Sequence, residues 1–140
     1  SARDNSRTPI QWDNTANGGF TTGTPWLKVN QNYETINAAA QEKDENSTLN
    51  YFRKLNELRK KELTLVYGKY TLIDEKNENV YAYTRELNGK KLLILLNFKA
   101  TESTVNTGLD LTKAKVLLGN YKDFSADGKL KPYQAVILEL

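Results

Sequence analysis

Eleven residues near the start of the chain combine the side chains best suited to binding a polar ligand. Residues 3–13 read Arg-Asp-Asn-Ser-Arg-Thr-Pro-Ile-Gln-Trp-Asp, which places two guanidinium groups, two carboxylates, side-chain amides and an indole in one short stretch. Guanidinium and carboxylate groups recognise sugar hydroxyls through paired hydrogen bonds, and an indole presents a flat apolar face to a pyranose ring. The stretch is also consistent with a loop held together by its own Arg–Asp pairs, with Trp12 as a core anchor. Composition leaves the two interpretations open.

Three large aromatic side chains lie in the same region, at Trp12, Phe20 and Trp26. They would serve either as a platform on which carbohydrate stacks or as buried apolar anchors. Because aromatic side chains supply much of the area of protein cores, residue type alone favours burial.

The acidic residues do not single out a catalytic pair. Glycoside hydrolysis uses two carboxyl groups, about 5 Å apart in retaining enzymes and about 6.5–9.5 Å apart in inverting ones. Asp4 and Asp13 share one predicted loop, but nothing in the sequence distinguishes them from the rest of the 17 acidic residues. Four other acids fall in predicted turns between strands, where we expect them to be solvated: Asp74, Glu75, Glu78 and Glu86. We predict no catalytic residue in this chain.

The chain contains no histidine and no cysteine. Their absence rules out Ser–His and Cys–His nucleophile pairs, disulfides, and imidazole or thiolate metal ligands. We therefore expect neither a metal nor another cofactor. The lack of cysteine leaves the compartment open, with the cytoplasm favoured over the periplasm.

The charge pattern argues against nucleic acid and membrane partners. The net charge of +3 comes from 20 basic and 17 acidic residues, which is a slight imbalance. The one basic cluster lies at residues 53–61 on an amphipathic helical pattern, so a solvated helix face explains it better than a nucleic-acid site. The longest apolar run, residues 92–96, has the length of a strand and is too short to span a bilayer.

The local patterns divide the chain into a long loop, one helix and a β-rich remainder. Residues 1–44 lack sustained periodicity and are dense in turn formers, which predicts an ordered loop that packs on a larger body. A helix is predicted over residues 47–62, because Ser47 or Thr48 can cap it and basic residues occupy its last turn. Its apolar stripe has three-residue spacing and consists of Leu49, Phe52, Leu55 and Leu58.

After this helix the pattern changes to short strands with a period of two. Asn88-Gly89 is the strongest hairpin signal, and residues 91–98 are apolar on both faces, which predicts a central strand. The other predicted strands are 63–73, punctuated by Gly68, then 80–85, 102–106, 114–118 and 133–140. This spacing predicts a mainly β fold, an antiparallel sandwich, with a domain boundary near residue 63.

Several ordered motifs together resemble one known family. They are residues 3–13, residues 19–26 (Gly-Phe-Thr-Thr-Gly-Thr-Pro-Trp), and the pairs Val29-Asn30, Asn32-Tyr33 and Ile36-Asn37. They resemble the oligo-1,6-glucosidase group of glycoside hydrolase family 13, in the α-amylase superfamily. The resemblance continues into the predicted helix and, more thinly, into the strands. Ile10 stands where the family usually has Met, a nearly volume-conserving change.

The resemblance implies a fold and a role for each segment. Residues 1–63 would be the end of a (β/α)8 barrel, namely its substrate loop and last helix. Residues 64–140 would be a Greek-key β-sandwich of the α-amylase C-terminal type. In the family, the first arginine of the Arg-Asp-Asn motif contacts the non-reducing-end glucose in the −1 subsite, and that arginine is Arg3 here. Asp4 and Arg7 would shape the loop.

The same resemblance implies that the chain is an excised piece of a retaining α-glucosidase and is non-catalytic by itself. The family's aspartate nucleophile, glutamate acid/base and stabilising aspartate lie on earlier strands of the barrel. The implied partners are an α-linked glucose oligosaccharide and the missing (β/α)8 barrel. Two alternatives remain for the β domain, an autonomous carbohydrate-binding module and a purely structural domain. Tyr81 and Tyr83 share one strand face, and we expect them to form a core pair rather than an exposed sugar platform.

Overall fold

The computed structural model describes residues 2–140 and divides them into two compact units. One unit extends to Arg53, and the other runs from Lys54 to Leu140. The first unit contains short helices joined by turns: α1 (Ala2–Asn5), 3₁₀ turns at Ala16–Gly19 and Gln31–Glu34, and α2 (Ala38–Lys43). The unit boundary falls within α3 (Thr48–Lys61).

Helix α3 confirms the predicted helix. The Ser47 hydroxyl accepts a hydrogen bond from the Asn50 N–H at 3.2 Å, so Ser47 is the N-cap. Three basic residues fill its last turn, where positive charge complements the helix dipole. Leu55 and Leu58 pack on the core of the second unit, whereas Phe52 is 58% exposed.

The prediction of a strand over residues 63–73 is wrong in its first half. Residues Thr64–Tyr67 form a helical turn, α4, and the strand begins only at Lys69. The amides of Val66 and Tyr67 both donate to the Leu63 carbonyl, at 3.0 and 2.9 Å. Helical geometry here turns Leu65 onto the core cluster, and this packing outweighs the β propensity of the local sequence.

Five antiparallel strands form the main sheet of the second unit: β1 (Lys69–Ile73), β2 (Val80–Leu87), β3 (Lys90–Asn97), β5 (Lys115–Gly119) and β7 (Ala135–Glu139). Their order across the sheet is β1-β2-β3-β7-β5. A second sheet consists of two short strands, β4 (Ser103–Thr104) and β6 (Lys129–Leu130). Strand β6, with two residues, gave no signal in the sequence.

Two predicted features of the sheet are confirmed. Strand β3 pairs with β2 on one side and β7 on the other, so it is central. Asn88 and Gly89 join β2 to β3 with φ angles of 50° and 82°, the two positive values that a type I′ turn requires.

The main sheet is covered on both faces. On one face, side chains of β2, β3 and β7 pack against three residues from the segment that carries the small sheet, Val105, Leu111 and Leu130. On the other face, Leu92, Ile94 and Ile137 pack against Leu55 and Leu58 of α3 and Leu65 of α4. Successive strand residues alternate between these two clusters because side chains in a strand point to opposite faces.

The two strand tyrosines differ in burial. Tyr83 packs against the cluster below α3 and α4, but Tyr81 is 40% exposed. The prediction that both tyrosines pack in the core is therefore confirmed for Tyr83 and wrong for Tyr81. The Tyr81 hydroxyl and the Tyr70 hydroxyl are hydrogen-bonded at 3.0 Å.

No helix within residues 2–140 is both long and apolar enough to cross a bilayer. Over the same range, His, Cys, Asp and Glu side chains form no group of three or more that could hold a metal ion.

Candidate functional site

Helix α1 presents the residues of the Arg-Asp-Asn motif. A turn closes its C-terminal end, because the Arg7 N–H donates to the Asp4 carbonyl at 3.0 Å and the Ser6 hydroxyl donates to the Arg3 carbonyl at 2.9 Å. The Arg3 side chain is exposed and Asp4 is half-buried. The motif therefore sits on one tight helical turn that leaves the Arg3 guanidinium accessible.

Arg7 has an aromatic partner. Its guanidinium lies over the Trp26 ring, 5.7 Å from the ring centroid, which is cation–π geometry. This contact joins two segments that lie far apart along the loop. Sequence reasoning named both residues but did not pair them.

Asp13 is held by its own turn and not by an arginine. Its Oδ1 accepts hydrogen bonds from the Thr15 N–H at 2.8 Å and the Thr15 hydroxyl at 2.5 Å. The hydroxyl bond, followed by the backbone bond, lowers the pKa of Asp13 below its ordinary value of 3.8. An ionised carboxylate fixed in this way organises the loop.

The residues that follow Asp13 make a tight, left-handed turn. Asn17, Gly18 and Gly19 have φ angles of 56°, 64° and 67°. Glycine adopts the φ of Gly19 without strain, and a Cβ added there would lie 2.7 Å from both carboxylate oxygens of Asp13, so that side chain would have to shift. The Trp12 and Asp13 amides both donate to the Gly18 carbonyl, at 2.8 and 3.2 Å.

Side-chain amides hold the rest of the loop, and sequence reasoning missed their role. The Gln11 Nε2 donates to the Asn32 Oδ1 at 2.9 Å and to the Ile36 carbonyl at 2.5 Å. Asn37 is buried, caps α2 through the Ala40 N–H at 2.8 Å, and donates to a backbone carbonyl. The recurrence of Asn beside turns was the available signal, because Asn side chains bond nearby backbone.

The three large aromatic residues singled out in the sequence, Trp12, Phe20 and Trp26, are exposed, which corrects the expectation that they are buried. Trp26 is 85% exposed, Trp12 54% and Phe20 48%. A shallow groove of about 420 Å³ lies beside two of these rings, and its lining is Arg7, Thr8, Pro9, Ile10, Phe20, Trp26 and Leu27. The three rings are exposed because few apolar side chains of this unit lie near enough to cover them, and its backbone is organised by hydrogen bonds instead.

The tyrosines of the second unit do not form a flat platform. The rings of Tyr81 and Tyr83 are 5.0 Å apart, and those of Tyr70 and Tyr83 are 5.2 Å apart. Both pairs are inclined by 38°. Coplanar exposed rings would be expected of a module that stacks on sugar.

The first unit is thus a polar loop with exposed rings, and the second contains an antiparallel sheet covered on both faces. The model of the α-amylase catalytic domain matches residues 1–68, and that of the maltogenic amylase C-terminal domain matches residues 70–137. The chain belongs to the α-amylase family, glycoside hydrolase family 13.

Individual relatives agree with this assignment over nearly the whole chain. The oligo-1,6-glucosidase of Halalkalibacterium halodurans is 44% identical over 95% of the chain and 25% of its own length. The α-glucosidase of Schizosaccharomyces pombe is 43% identical over 99% of the chain and 25% of its own length. The crystal structure of Bacillus licheniformis trehalose-6-phosphate hydrolase has a TM-score of 0.91 at 40% identity, covering 99% of this chain and 26% of that one. The chain thus spans about a quarter of the length of the relatives it matches.

Proposed function

We propose that this chain is the C-terminal part of a retaining α-glucosidase that hydrolyses short α-glucosides in the manner of an oligo-1,6-glucosidase. The observation that carries the proposal is the 44% identity to such an enzyme over 95% of the chain. The exposed Arg3 on a tight helical turn supports it, because a guanidinium must remain accessible to bind sugar.

The role proposed for Arg3 is to hold the terminal glucose. A guanidinium donates paired, charge-assisted hydrogen bonds, which suits two adjacent sugar hydroxyls. Asp4 and Arg7 would act indirectly, by closing the turn at 3.0 Å and by fixing the loop against Trp26.

The reaction proposed for the whole enzyme is double displacement. A carboxylate attacks the anomeric carbon to form a glycosyl-enzyme, and water then releases glucose with retained configuration. The carboxylates for these steps would come from the rest of the barrel. This chain would contribute the substrate-side loop and the β domain.

For the β domain we propose a Greek-key sandwich with a structural role. Its support is that the chain leaves β3, forms the small sheet that covers one face, and returns as β7 beside β3. A carbohydrate-binding module is the alternative. The inclined rings and the half-buried Tyr83 favour the structural role.

The test compares hydrolysis of 4-nitrophenyl α-glucoside by this chain and by a chimaera. In the chimaera, the chain replaces the aligned quarter of the Halalkalibacterium halodurans oligo-1,6-glucosidase. We expect the isolated chain to be inactive and the chimaera to be active. Activity of the isolated chain above the blank would refute the proposal, because the active site would then be built without the missing carboxylates.

A substitution in the chimaera tests Arg3 itself. Hydrogen bonds to charged groups contribute about 1.5–3 kcal/mol, so Arg3→Ala should lower kcat/KM by about 10- to 150-fold. Arg59→Ala is the matched control, because Arg59 lies in the last turn of α3. Equal kcat/KM values for the two variants would remove Arg3 from the substrate site.

A further inference from the structure

Helix α2 is bound at its N-terminal end to the segment that carries the Arg-Asp-Asn motif. Its first two amides, those of Ala38 and Ala39, donate to the carbonyls of Gln11 and Trp12, both at 2.9 Å. The first amides of a helix have no partner inside the helix, so these carbonyls satisfy donors that α2 would otherwise leave unpaired. The C-terminal end of the motif segment, residues 3–13, is thus held by the start of α2.

The other end of α2 is bound to the beginning of α3. The Asn50 Nδ2 donates to the carbonyls of Gln41 and Asp44, at 2.9 and 2.8 Å. The Ser47 hydroxyl donates to the same Gln41 carbonyl at 2.7 Å, and the Gln41 side chain accepts from the Leu49 amide at 2.9 Å. A helix of six residues is too short to be stable by itself, so the bonds at its two ends hold α2 in place.

Two side chains of α3 bind α2, and burial decides which of them matters more. The Arg53 guanidinium donates to both carboxylate oxygens of Glu42 at 2.6 Å, but these two side chains are 50% and 51% exposed. Exposed ion pairs contribute little because water and salt screen them. Asn50 is half-buried, and removing its donor group leaves backbone carbonyls at the end of α2 with fewer partners. Asn50 is therefore the stronger link between the two helices.

We propose that Asn50 is a positioning residue for the motif segment that carries Arg3. Its action is indirect: Asn50 fixes the C-terminal end of α2, and the N-terminal end of α2 fixes the carbonyls of Gln11 and Trp12. Holding this end of the segment limits the positions that the Arg3 guanidinium can occupy. The inference rests on the proposed function of Arg3. A displacement of about 1 Å in a substrate-positioning group can lower the rate by about 100-fold, so a link of this kind has a measurable effect.

A double-mutant cycle in the chimaera tests the proposal, with kcat and KM measured for 4-nitrophenyl α-glucoside. We expect Asn50→Ala to lower kcat/KM by about 5- to 100-fold. Asn56→Ala is the matched control, because Asn56 is an exposed asparagine of the same helix, and it should change kcat/KM by less than about twofold. In an Arg3→Ala background, Asn50→Ala should lower kcat/KM further by less than about twofold, since no guanidinium remains to be misplaced.

Equal losses with and without Arg3 would overturn the proposal. A variant that only destabilises the enzyme lowers activity by the same factor in both backgrounds, so the cycle separates positioning from loss of folded protein. Asn50→Asp gives a second check, because it keeps the shape of the side chain but replaces the donor with an acceptor. We expect it to behave like Asn50→Ala, and a wild-type kcat/KM for Asn50→Asp would also overturn the proposal.

Hydrogen exchange in the chimaera provides a measurement that does not depend on activity. The amides of Ala38 and Ala39 should exchange at least about 10-fold faster in the Asn50→Ala variant than in the Asn56→Ala variant, because opening of α2 releases both of their bonds. Equal exchange in the two variants would overturn the link between Asn50 and the motif segment. Faster exchange in a chimaera that does not hydrolyse the glucoside would sustain that link and refute the proposed function, so the two failures are distinguishable.

Discussion

The joint between α4 and β1 yields a sharp stability prediction. Gly68 has φ −60° and ψ 145°, a conformation open to any residue, so alanine there introduces no backbone strain. The added Cβ, however, would lie 2.4 Å from the Thr64 carbonyl oxygen and 3.0 Å from the Glu86 amide nitrogen. Both contacts are with backbone, which cannot move aside as a flexible side chain can.

The clash would also disturb an anchored turn. Arg85 donates hydrogen bonds to the carbonyls of Gly68 and Leu65, at 3.2 and 2.9 Å, so displacing Gly68 breaks or lengthens them. Forced overpacking costs about 1–3 kcal/mol, and a lost hydrogen bond from a charged group adds to that. We expect Gly68→Ala to destabilise the second unit by about 2–3 kcal/mol. For a domain of about 60–100 residues this lowers Tm by about 10–20 °C.

Thermal unfolding followed by circular dichroism measures the effect. Gly23→Ala is the control, because the nearest atom to its added Cβ is the Thr21 hydroxyl at 3.7 Å, an ordinary contact. If residues 63–73 formed one continuous strand, alanine at Gly68 would be neutral or stabilising, since glycine weakens a strand interior. An unchanged or raised Tm for Gly68→Ala would therefore refute both the clash and the helical turn that causes it.

Two further predictions concern polar groups of the second unit. The hydrogen bond from Lys90, at 2.5 Å, is the main cause that lowers the pKa of Glu62 below its ordinary 4.5, so the pair stabilises the fold above that pH. The Tm of the wild type should exceed that of the Glu62→Gln variant by the largest margin near neutral pH, and this difference should shrink as the pH falls through the lowered pKa of Glu62. A Tm difference that does not change with pH would contradict this prediction. Asn97 is buried and donates to the carbonyls of Thr101 and Lys131, both at 2.9 Å. Asn97→Ala should lower the free energy of unfolding by about 2–3 kcal/mol in denaturant titrations, and a loss below about 0.5 kcal/mol would show that water replaces these bonds.

Strong local signals were sufficient for the central elements of the fold. Helix α3 was predictable because its apolar stripe, its N-cap and its basic last turn agree with one another. The β2–β3 hairpin was predictable because Asn88-Gly89 supplies positive φ at both turn positions. The central position of β3 was predictable because its residues are apolar on both faces and pack alternately into the two clusters.

Elements without a strong local signal were missed or misread. Helix α4 replaced a predicted strand because Leu65 gains contacts in the core that local propensity does not record. Strand β6 has two residues and exists only through pairing with β4, which lies far away in sequence. The family resemblance implied a substrate loop within residues 1–63, but the pairing of Arg7 with Trp26 depends on a chain path that no local pattern specifies.

The sequence by itself determined the family, the helix, the hairpin and the exclusion of cysteine and histidine chemistry, since these follow from residue types and short-range spacing. Only the tertiary structure decided which apolar residues are covered. The same kinds of side chain are buried in the second unit, where two layers meet a sheet, and exposed in the first, where hydrogen bonds organise the loop. Burial depends on what lies opposite a side chain in space, and a single sequence does not contain that information.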